Sequence, residues 1–334
     1  ADAISLGRPF LADPEIPNKI ESGRVEDICM CIRCNHCMDT IMLTPQRLSC
    51  TQNPATGRGE EYALRPAIAR KKVLVVGGGP AGLEAARIAA FRGHDVTLLE
   101  RDSELGGQIR IASLPIGKTH FMPYVITWRA RHCEKAGVRI ELRTEATPDV
   151  VEKYNPDIVI VATGASPLVA HMQGVEGKNV VTAWDVLRES AKIGSRVLIV
   201  GGGLVGVETA DFLAERGLAE RITIVEMLSR VGIGMNFKNL SYLLQKFDKY
   251  GVKVVTNQKV QRITTKGVVT IDKDFSEQII EADTIVLALG AVSNDKLAVS
   301  LDGRIPEVYR IGDCRRPRNL TDAILDGAYV SRQI

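Results

Sequence analysis

Two glycine fingerprints constrain this chain more than any other feature. Gly77-Gly78-Gly79-Pro80-Ala81-Gly82 and Gly201-Gly202-Gly203-Leu204-Val205-Gly206 stand 124 residues apart (Gly77 to Gly201), at matching points of two strand–turn–helix units. In such a loop the first glycine permits a tight turn, the second lets a pyrophosphate approach the backbone, and the third lets helix and strand pack closely. The phosphates then sit at a helix N-terminus, where free N–H groups and the helix dipole favour negative charge. An acid closes each following strand: Glu100 after the first fingerprint and Glu226 after the second. Either is placed to accept hydrogen bonds from a ribose diol. At the second site such an acid would repel a 2′-phosphate, which favours NADH over NADPH, although Arg230 lies close in sequence.

The chain has 334 residues, long enough for two or three domains. Its net charge of +3 gives no reason to expect nucleic acid or a charged membrane surface as a partner. The apolar stretches near 73–90 and 197–213 carry glycine triplets and Glu84, Glu208 or Asp211, so they read as buried strand plus helix and not as membrane spans. No secretory signal is visible. The opening at Ala1, without methionine, suggests a processed chain or a fragment of something longer.

Seven cysteines occur, five of them between Cys29 and Cys50. That clustering argues for a reducing cytoplasm and a metal site over a secreted disulfide scaffold. Cys31, Cys34, Cys37 and Cys50 give C-x2-C-x2-C-x12-C. Three closely spaced thiolates can wrap one face of a [4Fe–4S] cubane and a fourth can return from a loop, whereas zinc sites more often show two separated pairs. Cys29 is out of step and reads as a non-ligand. Cys133 and Cys314 read as packing residues, and His36 as a neighbour of the site, not a ligand.

Along the chain, residues 1–12 suggest a short strand and a turn at Gly7-Arg8-Pro9-Phe10, and 29–60 an irregular cysteine-rich segment. Strands are expected at 71–76 and 95–100 around a helix at 82–92. The same order repeats at 196–200, 205–216 and 221–226. Late strands at 157–163 and 283–289 end in Gly164 and Gly290. A last short strand ends in Gly312-Asp313, before a helix from Thr321. The layout is one dinucleotide domain with a second inserted into it.

Three runs together carry a family resemblance. They are Gly7-Arg8-Pro9-Phe10-Leu11-Ala12-Asp13-Pro14, Cys31-Ile32-Arg33-Cys34-Asn35-His36-Cys37 through Cys50-Thr51-Gln52-Asn53-Pro54, and the tandem fingerprints. The chain resembles the C-terminal portion of 2,4-dienoyl-CoA reductase, trimethylamine dehydrogenase and the bacterial NADH:flavin oxidoreductases, relatives of old yellow enzyme. The resemblance implies an α/β fold of two Rossmann-like domains, preceded by a small iron–sulfur segment and the tail of a TIM barrel. The corresponding limits are 1–28 for the barrel end and linker, 29–60 for the iron–sulfur segment, 61–168 and 293–334 for an FAD domain, and 169–292 for an NAD(P)H domain.

It further implies a relay from NADH through FAD and [4Fe–4S] to FMN, which reduces an activated C=C bond of enoate or enoyl-CoA type. Carried over by residue, Gly77, Gly79, Gly82, Glu100, Gly107, Gln108, Gly164 and Asp313 would hold FAD. Gly201, Gly203, Gly206, Glu226 and Gly290 would hold NADH. Arg8 would meet the FMN phosphate. FMN and substrate would sit mostly in an upstream or separate barrel, and the full-length protein is expected to be a homo-oligomer. Hydride transfer needs no side-chain acid or base, so no catalytic residue is expected. Two alternatives carry over as well: an amine dehydrogenase holding structural ADP in the first domain, and a non-catalytic cofactor-binding subunit.

Overall fold

The computed structural model of the chain describes residues 2–42, 47–115 and 117–334. They form two compact units. Unit 1 comprises Ala1–Ser113, His120–Ala165 and Ser293–Ile334; unit 2 comprises Leu114–Thr119 and Ser166–Val292.

Unit 1 is built on a five-stranded parallel sheet in the order Glu307–Arg310, Ile158–Val161, Lys72–Val76, Asp95–Leu99, Arg139–Glu141. The continuous apolar run Val73–Val76 reflects burial on both faces. Val73 and Val75 pack with Leu83, Ala85, Ala86 and Ala89 of the helix Pro80–Phe91. Leu74 and Val76 face the opposite layer, with Val151, Ala298 and Leu301. The small side chains of that helix let it lie close to the sheet and also to Leu320–Gln333, where any Cβ on Gly327 would meet Ala81 O at 2.4 Å.

Unit 2 repeats the plan: Val180–Thr182, Thr284–Leu287, Arg196–Val200, Arg221–Val225, Lys253–Val255, all parallel. Val197 and Ile199 pack under the helix Leu204–Glu215, while Leu198 and Val200 pack with Ile263, Val268 and Ala282. The last three belong to or adjoin an antiparallel sheet, Lys259–Thr264, Gly267–Ile271 and Glu277–Glu281, which takes the place of helices on that face.

The N-terminal expectation needs correction. No strand forms over the described part of 1–12, and Arg8–Ala12 is a helical turn, not an open loop. Pro9, which cannot donate to a ladder, is well accommodated in the first turn of a helix. The segment 29–60 is also less irregular than expected: His36–Met42 is helical, and Gly59–Tyr62 forms a 3-10 turn. Among the described residues no helix is long and apolar enough to cross a membrane.

Candidate functional site

The first fingerprint is shaped by steric necessity. Gly77 has φ +109°, and a Cβ there would stand 2.4 Å from Ala162 O. A Cβ on Gly82 would stand 1.9 Å from Gly77 O, whereas Gly79 faces open space. Only the middle position is thus left free for a ligand to approach. Glu100, buried at the end of its strand, accepts from Gly78 N–H at 2.7 Å and from Asp102 N–H at 2.9 Å. A carboxylate has about four acceptor positions, so two remain for a ribose diol. Gly106 N–H donates to Gly78 O at 2.9 Å, and a Cβ on Gly107 would be 3.3 Å from Gly79 Cα.

Gln108 Nε2 donates to Asp313 Oδ2 at 3.0 Å, beside Gly164. Burial raises the Asp313 carboxyl above its ordinary range, and the Arg318 N–H and the Gln108 amide offset part of that rise. The eight residues expected at the first nucleotide site therefore converge, although they come from four separate stretches of chain.

The second fingerprint repeats the geometry. Gly201 has φ +104° with its would-be Cβ 2.5 Å from Ala288 O, Gly206 meets Gly201 O at 1.9 Å, and Gly203 is open. Glu226 accepts from Gly202 N–H at 2.6 Å and Leu228 N–H at 2.8 Å. Gly232 N–H closes the loop onto Gly202 O at 2.7 Å. Gly232 is a loop-closing residue that the fingerprint does not include, yet it stands six positions after Glu226, as Gly106 does after Glu100. Gly290, at φ +103°, has no neighbour within 4 Å of a would-be Cβ. Arg230 is exposed.

Cys31, Cys34, Cys37 and Cys50 line a single cavity with Leu11, Ile32, Thr51 and Gln52. Arg33 and Asn35 take positive φ, 56° and 61°, so the loop curls and returns successive thiols to one side. Among the described residues no three His, Cys, Asp or Glu groups could together hold a single metal ion. Four thiols around one cavity form an all-sulfur donor set, of the kind that holds an iron–sulfur cluster or zinc. Burial pushes the Cys37 thiol up and the Cys50 thiol to about 11, so free thiolates are disfavoured there without a cationic partner.

Cys29 does not line the cavity. It is buried, and that burial raises its thiol to about 12. His36 Nε2 is 2.8 Å from Ser49 Oγ. Cys133 and Cys314 are fully buried against Leu83 O and Asn294 O. Arg8 donates to Asn35 Oδ1 and lines the thiol cavity, a partner its expected phosphate role did not anticipate.

Sequence reading also missed the anchor of the cysteine segment. Arg129, fully buried on the helix Tyr124–Lys135, donates to Glu84 Oε2 at 3.0 Å, Gln52 Oε1 at 2.8 Å and Gln52 O at 2.9 Å. Burial opposes ionisation of Glu84, but the Arg87 and Arg129 guanidiniums outweigh it and hold the carboxyl below its usual range. Trp128 Nε1 and Lys135 Nζ on the same helix bind Asp27 at 2.9 and 2.5 Å. One helix thereby ties the loop bearing Cys50 to the first fingerprint helix. No spacing signals this, because an arginine on an amphipathic helix is ordinarily exposed.

Residues 71–327 match the family model described as pyridine nucleotide-disulphide oxidoreductase. Among curated proteins, the chain is 39% identical to an NADH oxidase of Thermoanaerobacter brockii, over 100% of this chain and 52% of that protein. It is 38% identical to a cinnamate reductase of Clostridium sporogenes, over 100% of this chain and 50% of that one. The solved complex of 2-naphthoyl-CoA reductase with 2-naphthoyl-CoA superposes with a TM-score of 0.92 at 34% identity, covering 98% of this chain and 50% of the other. The chain thus spans about half the length of the relatives it matches.

Proposed function

The chain belongs to the pyridine nucleotide-disulphide oxidoreductase family, in the branch represented by the C-terminal half of 2,4-dienoyl-CoA reductase and its relatives, and from that premise we propose that it is the electron-input half of an NADH-dependent flavin and iron–sulfur oxidoreductase. Its two domains are of the FAD- and NAD(H)-binding type. The observation that carries the proposal is the duplicated fingerprint geometry in one chain, with a four-thiol cavity in the same unit as the first copy.

Bound FAD would supply hydride acceptance from NADH and single-electron release, and a [4Fe–4S] cluster single-electron transfer towards FMN. The chain's own residues bind and orient. Gly77, Gly79 and Gly82 form the pyrophosphate turn for FAD, with Glu100 on the ribose. Gln108 and Asp313, paired beside Gly164 and close to Gly107, offer a donor and an acceptor to the rest of that cofactor. Gly201 and Gly206 shape the turn that would receive NADH, Gly203 and Gly290 leave room for it, and Glu226 disfavours a 2′-phosphate. Cys31, Cys34, Cys37 and Cys50 would ligate the cluster.

Arg8 would add its charge to the phosphate of an FMN held by an upstream or separate barrel. Reduction of an activated C=C bond by that barrel is the reading most consistent with the reductases among the relatives. An anaerobic visible spectrum of the purified chain tests the proposal. Flavin bands over a broad shoulder near ~400 nm, the flavin bleaching on addition of NADH, are expected. A shoulder without flavin would instead favour the amine-dehydrogenase reading with ADP, and a protein without either would overturn the relay.

A further inference from the structure

Beside the thiol cavity lies a pair of buried hydroxyls that the relay does not use. Thr51, next to Cys50, and Thr321, in the first turn of Leu320–Gln333, are 3% and 8% exposed, with their Oγ1 atoms 2.6 Å apart. Cys34 Sγ is 3.4 Å from Thr51 Oγ1. A protonated Cys34 can donate to Thr51 Oγ1, and either threonine hydroxyl can donate to the other, so the direction of the chain is open.

A metal-bound thiolate fixes that direction. The sulfur can then only accept, so Thr51 O–H turns to it, and Thr321 O–H turns to the Thr51 oxygen. Both hydroxyl protons then have acceptors, the condition buried polar groups meet almost without exception.

We infer that Thr51 and Thr321 form a two-hydroxyl relay that donates to the Cys34 sulfur and raises the reduction potential of the cluster held there. The inference rests on the iron–sulfur reading of the four cysteines. A hydrogen bond to a ligating sulfur stabilises the more negatively charged, reduced state of a cluster. Thr321 acts through Thr51, so its effect has the same sign and is smaller.

The test is a mediated redox titration of the full-length protein under anaerobic conditions, followed by EPR, with iron and sulfide content measured on every variant. Thr51→Val is expected to shift the midpoint to more negative potential, Thr321→Val to shift it less in the same direction, and Thr51→Ser to leave it near wild type. Unchanged midpoints in both valine variants at full iron and sulfide content would overturn the relay. If Thr51→Val loses its cluster, Thr321→Val decides alone, since it removes no group in contact with a cysteine. A wild-type protein that binds no iron and sulfide overturns the iron–sulfur reading itself, and the relay with it.

Discussion

At Asp313 the demands of folding and of binding conflict. Its carboxyl lies above the ordinary range because burial disfavours the charge, an effect the Arg318 N–H and Gln108 offset only in part. A carboxyl whose pKa is higher folded than unfolded holds its proton more tightly in the folded state. Its contribution to stability therefore falls as pH rises from the unfolded pKa through the folded one, and at neutral pH the ionised group is a net cost. Asp313→Asn should leave the thermal midpoint of the flavin-free chain unchanged or raised at pH 7, while the purified protein retains less flavin. A lowered midpoint would show that the carboxylate is structural. Glu226 gives the complementary case: Glu226→Arg should shift the ratio of kcat/KM for NADH over NADPH towards NADPH. An unmoved ratio would remove the acid from the ribose.

At the scale of elements, the glycines of one turn divide into those the fold requires and those a ligand requires. Gly206→Ala would force a Cβ to within 1.9 Å of Gly201 O, a clash with backbone that exceeds the roughly 1–3 kcal/mol of ordinary overpacking. Gly203→Ala meets nothing within 4 Å. The first variant should therefore lose folded protein. The second should melt like wild type yet bind NADH weakly, as calorimetric titration would report. These turns were legible in the sequence because strand, glycine spacing, helix and acid fall in a fixed order, and each spacing has a steric cause. The gathering of Cys31, Cys34, Cys37 and Cys50 around one cavity was legible in their spacing. The helix Tyr124–Lys135 was not, because its role depends on Arg129 meeting Glu84 and Gln52 across long sequence separations. Buried Glu84 is held by two guanidiniums, so loss of Arg129 leaves it with Arg87 alone, at a cost below the about 3–5 kcal/mol of a wholly uncompensated buried charge. Arg129→Met should show that loss in denaturant melts, together with faster amide exchange around Gln52. Exchange unchanged there would mean that the cysteine loop is held by other contacts.

At the scale of the whole molecule, two copies of one plan serve two ligands that behave differently, and the acid cannot be what separates them. Glu100 and Glu226 hold their loops through equivalent bonds to Gly78 and Gly202. The difference lies at the far end of each site. In unit 1 the chain returns after unit 2 to bring Asp313 to Gln108 beside Gly164, a polar grip suited to a cofactor that stays bound. At the corresponding place in unit 2, Gly290 faces open space, as suits a nucleotide that must leave after each turnover. The insertion of one unit into the other follows from this, since the last strand and helix of unit 1 complete a site begun by its first. In the proposed relay, a flavin held in unit 1, the unit that also carries the thiol cavity, would separate hydride input from single-electron output. Cys34→Ala should divide the two steps of the proposed relay. Iron content should fall and electron transfer beyond FAD should stop, while bleaching of FAD by NADH proceeds at its wild-type rate in stopped flow. Full iron content in that variant would remove Cys34 from the ligand set, and lost FAD bleaching would mean that the two halves of the relay are not separable.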